Sequence, residues 1–147
     1  RVDRRELHRP GPSWTVDTLH ELRAELGPDT PLALLLGAYS FRSLQSWNHW
    51  RQLPQLAHLV VAARHEAGDL DALPAELAAE VRDRWVAEPG ELARRPAGGC
   101  HALQQPLRTE SATAVRAGVA AGDPAWRGQV PAAVAAYIQA QGLYRAR

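Results

Sequence analysis

The hydrophobic positions of this chain follow two patterns, one typical of amphipathic helices and one typical of buried strands. The segment SWTVDTLHELRAELG carries apolar residues at helical spacing, starts on hydroxyl residues and ends on Gly27, which predicts a helix. The apolar runs LALLLG at 32–37 and AHLVVAAR at 57–64 are typical of strands buried on both faces of a parallel sheet. CHAL at 100–103 is a candidate third strand.

Four further segments have helical patterns. SFRSLQSWNHWRQL at 40–53 has apolar residues three apart, which predicts an aromatic-rich helix. Other helices are predicted from Pro74 to about Val86, from Ser111 to about Ala121 and from Pro131 to Gln141. Strands that alternate with helices predict an α/β fold with a parallel sheet, and we expect residues 1–147 to form a single domain.

Composition excludes several classes of protein. The longest apolar run is far shorter than the roughly 18 residues that span a membrane, and no signal peptide is visible, so we expect a cytoplasmic protein with no membrane partner. A net charge of +1 argues against nucleic acid as a partner. Cys100 is the single cysteine, and we interpret it as a small buried hydrophobe. The six histidines have no metal-ligand spacing, so no metal site is predicted.

The segment RTESATAVRAGVAAGD, 108–123, places Ser111, Thr113 and Arg116 at the start of a predicted helix. A helix N-terminus presents unpaired N–H groups and a partial positive charge, and Thr113 and Arg116 lie on one face of its first turns. This cluster could hold phosphate oxygens. The alternative interpretation is that Ser111 only caps the helix and that Arg116 is solvated.

Two other stretches carry candidate binding chemistry. Ser13 and Thr15 stand at the first predicted helix start, where simple capping is the alternative. Trp47 and Trp50 have the spacing of core residues, yet Trp47 has polar neighbours, and an indole at a pocket rim would stack on a flat heterocycle.

Several segments, read in order, carry a family resemblance. They are PGPSWTVDTLHELRAELGPDTPLALLLGAYSF, SWNHW, LAHLVVAAR, ESATAVR and the ending VPAAVAAYIQAQGLY. Together they resemble the bacterial nicotinate-nucleotide adenylyltransferase family. The resemblance implies a Rossmann-like nucleotidyltransferase fold and adenylyl transfer from ATP to nicotinate mononucleotide, which gives deamido-NAD and pyrophosphate. It also implies ATP and nicotinate mononucleotide as partners and Mg²⁺ as a cofactor that accompanies ATP.

The resemblance assigns roles to residues. Ser13, Trp14 and Thr15 would receive the nicotinate carboxylate, with Trp47 stacking on the ring beside Asn48. Gly37 and Tyr39 fall in a segment that contacts ATP, and Ser111, Thr113 and Arg116 would bind its phosphates. Arg116 would be catalytic, because its charge would stabilise the departing pyrophosphate.

The chain also departs from the family pattern. The HxGH motif of the family is not found, and the chain lacks methionine, so we expect only the C-terminal two thirds of the enzyme. Tyr39 replaces an acidic residue and Glu110 replaces an apolar one. A sheet without its N-terminal strand would expose an edge, which predicts self-association.

Two other hypotheses remain open. The chain could be a noncatalytic remnant that binds a nucleotide or a partner without turnover. Alternatively, Ser111 to Gln141 could be a helix-turn-helix DNA module with Arg145 and Arg147 touching phosphates, although the buried strands and low net charge argue against it.

Overall fold

The computed structural model describes residues 2–62, 72–104 and 110–145. The chain forms two compact units, Arg1–Pro106 and Leu107–Arg147, which we call the N-terminal unit and the C-terminal unit and describe separately. The single domain expected over 1–147 stays a prediction. The end of the strand predicted at 57–64, and Arg147 of the proposed DNA-contacting tail, lie outside the described residues.

The N-terminal unit is built around three parallel strands. They are β1 (Ala33–Gly37), β2 (His58–Ala62) and β3 (Cys100–Leu103), with β2 in the centre. In the register, Leu35 lies opposite Val60 and Val60 lies opposite His101. This parallel sheet confirms the predicted α/β fold and is consistent with the Rossmann-like nucleotidyltransferase fold that the resemblance implies.

Burial along β1 differs from the prediction of a strand covered on both faces. Leu36 is buried in the core, whereas Leu35, on the opposite face, is 63% exposed. Successive side chains of a strand point to opposite faces, so one face of β1 packs on the core and the other stays accessible in the N-terminal unit. The prediction of burial on both faces was wrong for β1, because the face that carries Leu35 is not covered in the N-terminal unit.

The first helix, α1, runs over Thr15–Leu26 and ends at Gly27, whose φ of 89° suits glycine. Its apolar stripe is buried at Val16 and Leu19, which confirms the predicted helix. Arg23 joins α1 to three other segments, because its guanidinium donates to the carbonyl oxygens of Thr30 at 2.5 Å, Leu56 at 2.5 Å and Pro96 at 3.0 Å.

The helix predicted at 40–53 is broken into short pieces. They are α2 (Ala38–Arg42), 3-10 turns at 44–46 and 50–52, and α3 (Leu53–Leu56). The hydroxyl of Ser43 donates to carbonyl oxygens of the preceding turn, and that of Ser46 donates to the Ser43 carbonyl at 2.8 Å, so both compete with helical hydrogen bonding. His49 adopts a left-handed conformation with a φ of 49°, which a helix does not allow.

The next helix, α4 (Ala75–Val81), ends before the predicted Val86. Trp85 instead forms a bridge to Cys100 at the outer edge of β3. Its ring also meets Phe41 edge to face, with 5.9 Å between the ring centroids. Pairing with the sheet and packing on the core therefore outcompete the continuation of α4.

The core of the N-terminal unit lies between one sheet face and the helices. It is formed by apolar side chains from all of these elements, among them Val16, Leu19, Leu36, Phe41, Leu44, Leu59, Val61, Leu77 and Cys100. The free thiol of Cys100 is fully buried, which confirms its interpretation as a small core residue.

The C-terminal unit has its own small core. Helix α5 (Ala112–Ala121), a 3-10 segment at 124–129 and α6 (Ala132–Ala140) surround the buried Trp126. A Cβ added at Gly118 would lie 3.0 Å from the Cβ of Trp126, so glycine lets α5 pack closely on the indole. Both predicted helices are confirmed, while the DNA-module hypothesis is not tested by this arrangement. No described helix is long and apolar enough to cross a membrane.

Candidate functional site

A pocket of about 280 Å³ opens in the C-terminal unit at the start of α5. Its polar wall includes Ser111 and Arg116, two of the three residues that the sequence singles out there. The volume lies just below the range of about 300–1,000 Å³ that is typical of small-molecule pockets. Because its volume comes close to this range, the pocket is large enough for part of a nucleotide.

The start of α5 has the cap that its sequence predicts. The Oγ atom of Ser111 accepts a hydrogen bond from the Ala114 N–H at 3.0 Å. Arg116 donates from Nη2 to the Oγ1 atom of Thr113 at 3.3 Å, so these side chains meet on one face of the helix. Capping and pocket lining coexist at Ser111, so the cap alone does not exclude a binding role.

Sequence reasoning missed other residues of this pocket. Gln129 and Tyr144 line it beside an apolar surface formed by Val115, Val130 and Ile138. Tyr144 is the last residue of the segment VPAAVAAYIQAQGLY, which contributes to the family resemblance. Its φ of 63° is uncommon for a tyrosine. No periodicity points to Gln129, because tertiary packing alone brings the 3-10 segment to the start of α5.

Glu110 also lines the pocket. Its carboxylate brings negative charge to the wall that carries Arg116, as expected from its replacement of an apolar family residue. Among the described residues, no group of three histidine, cysteine or acidic side chains could hold a metal ion.

The start of α1 carries Ser13, Trp14 and Thr15 in the N-terminal unit. Trp14 is the N-cap residue and provides no side-chain cap, while its indole is 45% exposed. The Oγ atom of Ser13 instead accepts a hydrogen bond from Nη1 of Arg9 at 2.9 Å. Simple capping by Ser13 is therefore the wrong explanation for this hydroxyl.

The two tryptophans of SWNHW have different environments. Trp50 is buried in the core, and the guanidinium of Arg51 lies 4.6 Å from its ring centroid. Trp47 is partly buried against the same core, and Asn48 beside it is partly exposed. Trp50 is thus the core residue of the pair, and Trp47 has a surface that a ligand could reach.

Gly37 and Tyr39 lie where β1 ends and α2 begins. Gly37 is in register with Ala62 and Leu103, so all three mark the carboxyl edge of the sheet. Ligands of open parallel sheets bind at this edge. Tyr39 is 86% exposed, which leaves its ring accessible in the N-terminal unit.

Among the residues that the structure describes, Arg5 and Cys100 have clearly shifted pKa values. Hydrogen bonds to Asp3 and Glu25 raise the pKa of Arg5 above its ordinary value. Burial raises the pKa of the Cys100 thiol to about 11, so this thiol stays protonated and unreactive at neutral pH. Neither group lies in the pocket of the C-terminal unit.

Comparison with known proteins gives close relatives along almost the whole chain. No protein-family model matches it. A protein of Stenotrophomonas maltophilia (strain K279a), named probable nicotinate-nucleotide adenylyltransferase, is 50% identical over 149 residues, which covers 98% of this chain and 67% of that protein. Proteins of the same name from Marinobacter nauticus (strain ATCC 700491 / DSM 11845 / VT8) and Halorhodospira halophila (strain DSM 244 / SL1) are 44% and 48% identical, covering 99% and 97% of this chain.

These alignments include 66% and 64% of the two latter proteins, so the chain spans about two thirds of the length of the relatives it matches. Identity of this degree over nearly all of the chain is far above what a shared fold alone requires. It agrees with the parallel sheet and with the order of the matching segments. The chain therefore belongs to the bacterial nicotinate-nucleotide adenylyltransferase family.

Proposed function

We propose that this chain serves the transfer of an adenylyl group from ATP to nicotinate mononucleotide, giving deamido-NAD and pyrophosphate in NAD biosynthesis. The relatives' names support the nucleotidyltransferase class. The observation that carries the proposal is the pocket at the start of α5, where Ser111 and Arg116 line one wall.

On the ATP side, the positive end of α5 and the guanidinium of Arg116 would bind phosphate oxygens. Thr113 accepts a hydrogen bond from this guanidinium at 3.3 Å, and both side chains are exposed to solvent. In the reaction, negative charge grows on the departing pyrophosphate as the α-phosphate is transferred. A cationic group held in place before the reaction stabilises that charge without reorganisation, which makes Arg116 the proposed catalytic residue.

On the mononucleotide side, the proposal uses the start of α1 and the exposed part of Trp47. The first turn of α1 has no side-chain cap from Trp14, so its N–H groups suit a carboxylate such as that of nicotinate. Ser13 and Thr15 flank this turn. The indole of Trp47 would stack on the pyridine ring, with Asn48 beside it.

Gly37 and Tyr39 are proposed to contact ATP from the carboxyl edge of the sheet. Mg²⁺ would enter with ATP, because the described residues around the pocket supply hard oxygen donors such as Glu110 and Ser111 but no cluster of metal ligands. When bound, this ion would neutralise phosphate charge. A cytoplasmic location and self-association stay predictions, the latter testable by light scattering.

Calorimetric titration of ATP into the chain tests the proposal. Replacing Arg116 with alanine should weaken ATP binding at least about tenfold, because a hydrogen bond to a charged group contributes about 1.5–3 kcal/mol. Arg127→Gln is the matched control, since Arg127 lies 5.6 Å from the Trp126 ring centroid and does not line the pocket. Equal ATP affinity of the Arg116→Ala and unmodified chains would refute the ATP site.

A noncatalytic remnant that binds nucleotide is the second candidate function. The placement of Glu110 on the pocket wall favours it, because a carboxylate there opposes the binding of negatively charged phosphates. A pyrophosphate-release assay separates the two functions. The assay uses this chain joined to the HxGH-bearing segment that the family resemblance implies. Binding of both substrates without pyrophosphate release would then support the remnant, whereas release that Arg116→Ala abolishes would support the transferase.

A further inference from the structure

The imidazole ring of His58 is buried at the start of β2, and it binds the backbone at two points of the segment that leads into β3. Its Nδ1 atom accepts from the Gly99 N–H at 2.9 Å, and its Nε2 atom lies 2.8 Å from the Arg95 carbonyl oxygen. We call residues 95–99 the β3 connection. The ring therefore joins β2 to both ends of the β3 connection.

These two contacts determine which form of the ring fits. A backbone N–H only donates, so Nδ1 must offer a lone pair, and the ring proton lies on Nε2, where the Arg95 carbonyl accepts it. A protonated imidazole carries a proton on both nitrogens, so it would direct an N–H at the N–H of Gly99. The contact between His58 and Gly99 therefore forms only with the neutral ring.

The packing around Gly99 leaves no room for a local adjustment. A Cβ added at Gly99 would lie 3.0 Å from Nδ1 of His58 and 2.5 Å from a methyl carbon of Leu92, so the backbone approaches the ring closely. The Gly99 carbonyl oxygen also accepts from the Leu59 N–H at 2.8 Å, which holds it beside β2. Protonation of His58 therefore requires the β3 connection to move away from β2.

The cationic groups near the ring also oppose a further positive charge. Arg23 and Arg84 each donate to a carbonyl oxygen of the β3 connection, at 3.0 Å and 3.5 Å. The Nη2 atom of Arg95 would lie 3.1 Å from a Cβ added at Gly99, the same position that lies 3.0 Å from Nδ1 of His58. This guanidinium is therefore close to the ring, and its charge favours the neutral form of His58.

The remaining titratable groups of the surrounding elements do not offset these charges. Neither β1 nor α3 contains a charged residue. Glu80 is held in an ion pair at 2.7 Å, Glu91 caps its own 3-10 segment, and Arg94 is exposed. On β3, Nδ1 of His101 lies 3.2 Å from a carbonyl oxygen. Among the described residues, the hydrogen bonds of the His58 ring are thus with backbone groups and not with a carboxylate.

We propose that His58 is an acid-sensitive latch, which holds the β3 connection on β2 while its ring is neutral and releases the connection when the ring is protonated. Acid favours the released form because only that form accepts the second proton without opposing the Gly99 N–H. The stability that the latch contributes is therefore present at neutral pH and is lost as the pH falls below about 6.5, where histidine in an unfolded chain gains its proton. This inference does not depend on the reaction proposed above.

Urea unfolding of the full chain at pH 7.5 and pH 5.5 tests the latch, with His58→Asn for comparison. The Asn oxygen can accept from Gly99 in place of Nδ1, and it does not titrate. At pH 5.5 about ten unfolded molecules carry the histidine proton for each one that does not. The equilibrium constant for unfolding should therefore rise about fivefold to tenfold more in the unmodified chain than in His58→Asn. An equal rise in both proteins overturns the proposal.

His20→Asn is the matched control. His20 is exposed, and its Nε2 atom lies 3.0 Å from the side-chain oxygen of Gln52, a contact that a protonated ring keeps. This variant should show the same pH dependence of unfolding as the unmodified chain. If it instead loses as much of that dependence as His58→Asn, the effect belongs to histidines in general and the latch is wrong.

Nitrogen-15 NMR of the unmodified chain tests the latch without any variant, which matters if His58→Asn folds poorly. At pH 6 an exposed histidine is mostly protonated, so His20 should show the charged ring while His58 keeps the neutral form with its proton on Nε2. The Gly99 and Leu59 amides should lose protection against hydrogen exchange as the pH falls from 7.5 to 5.5. A His58 ring that gains its proton together with His20, while both amides stay protected, overturns the proposal.

Discussion

Replacing His58 with alanine should destabilise the N-terminal unit more than any other single histidine change among the described residues. His58 begins β2 and is almost fully buried. Its Nδ1 atom accepts from the Gly99 N–H at 2.9 Å, and its Nε2 atom lies 2.8 Å from the Arg95 carbonyl oxygen. An amide N–H requires a lone pair on Nδ1, so the proton of the neutral ring is on Nε2, which donates to Arg95.

The magnitude follows from the two backbone groups that lose their partner. The Gly99 N–H is buried, and leaving it unsatisfied should cost about 1–3 kcal/mol. The Arg95 carbonyl is only partly buried, so water can replace the ring, and its loss should cost about 0.5–1.5 kcal/mol. The sum predicts a loss of about 1.5–4.5 kcal/mol, which is a large part of the roughly 5–15 kcal/mol that stabilises a typical domain.

Urea unfolding followed by circular dichroism measures this loss. His20→Ala is the control, because His20 is exposed and its ring forms only an exposed hydrogen bond with Gln52. This variant should change the free energy of unfolding by less than about 1 kcal/mol. His58→Asn should recover part of the loss, since the Asn oxygen can take the place of Nδ1 but does not reach Arg95. Equal unfolding midpoints for the two alanine variants would refute the reasoning.

Three other changes give measurable outcomes. Burial raises the pKa of the Cys100 thiol from 9.0 to about 11, so between these pH values ionisation of the thiol favours the unfolded chain. The free energy of unfolding should therefore fall by about 2 kcal/mol between pH 8 and pH 10.5, relative to that of Cys100→Ala. Parallel pH profiles of the two proteins would contradict this. Gly99→Ala should lower the free energy of unfolding in urea by about 1–3 kcal/mol, because the added Cβ would lie 3.0 Å from Nδ1 of His58 and 2.5 Å from a methyl group of Leu92. Gly90→Ala is the control: an added Cβ meets nothing within 4 Å, so stability should not change. Ser111→Ala should lower the free energy of unfolding of the C-terminal unit by about 1 kcal/mol, and Ser111→Gly should lower it by less. Unchanged melting temperatures of both variants would argue against the cap.

Candidate site residues could be named from the sequence to the extent that local chemistry defines them. The cap at Ser111 and the contact between Thr113 and Arg116 depend on positions three residues apart on one helix, and the structure shows both. Gln129 and Tyr144 were missed because they reach the same pocket from other segments. Likewise, Arg9 contacts Glu21 from twelve residues away, a pairing that no periodicity records.

The sequence by itself determined the parallel strands and helices α1, α5 and α6, because hydrophobic spacing and helix start and stop signals act over a few residues. The family followed from the resemblance of several segments in their order along the chain. Only the tertiary structure decided that SWNHW forms turns, that Trp50 is buried while Trp47 is partly accessible, and that β1 leaves Leu35 exposed. These outcomes depend on competition among distant side chains for one limited core and for one sheet edge. Local spacing contains no information about which residue wins that competition.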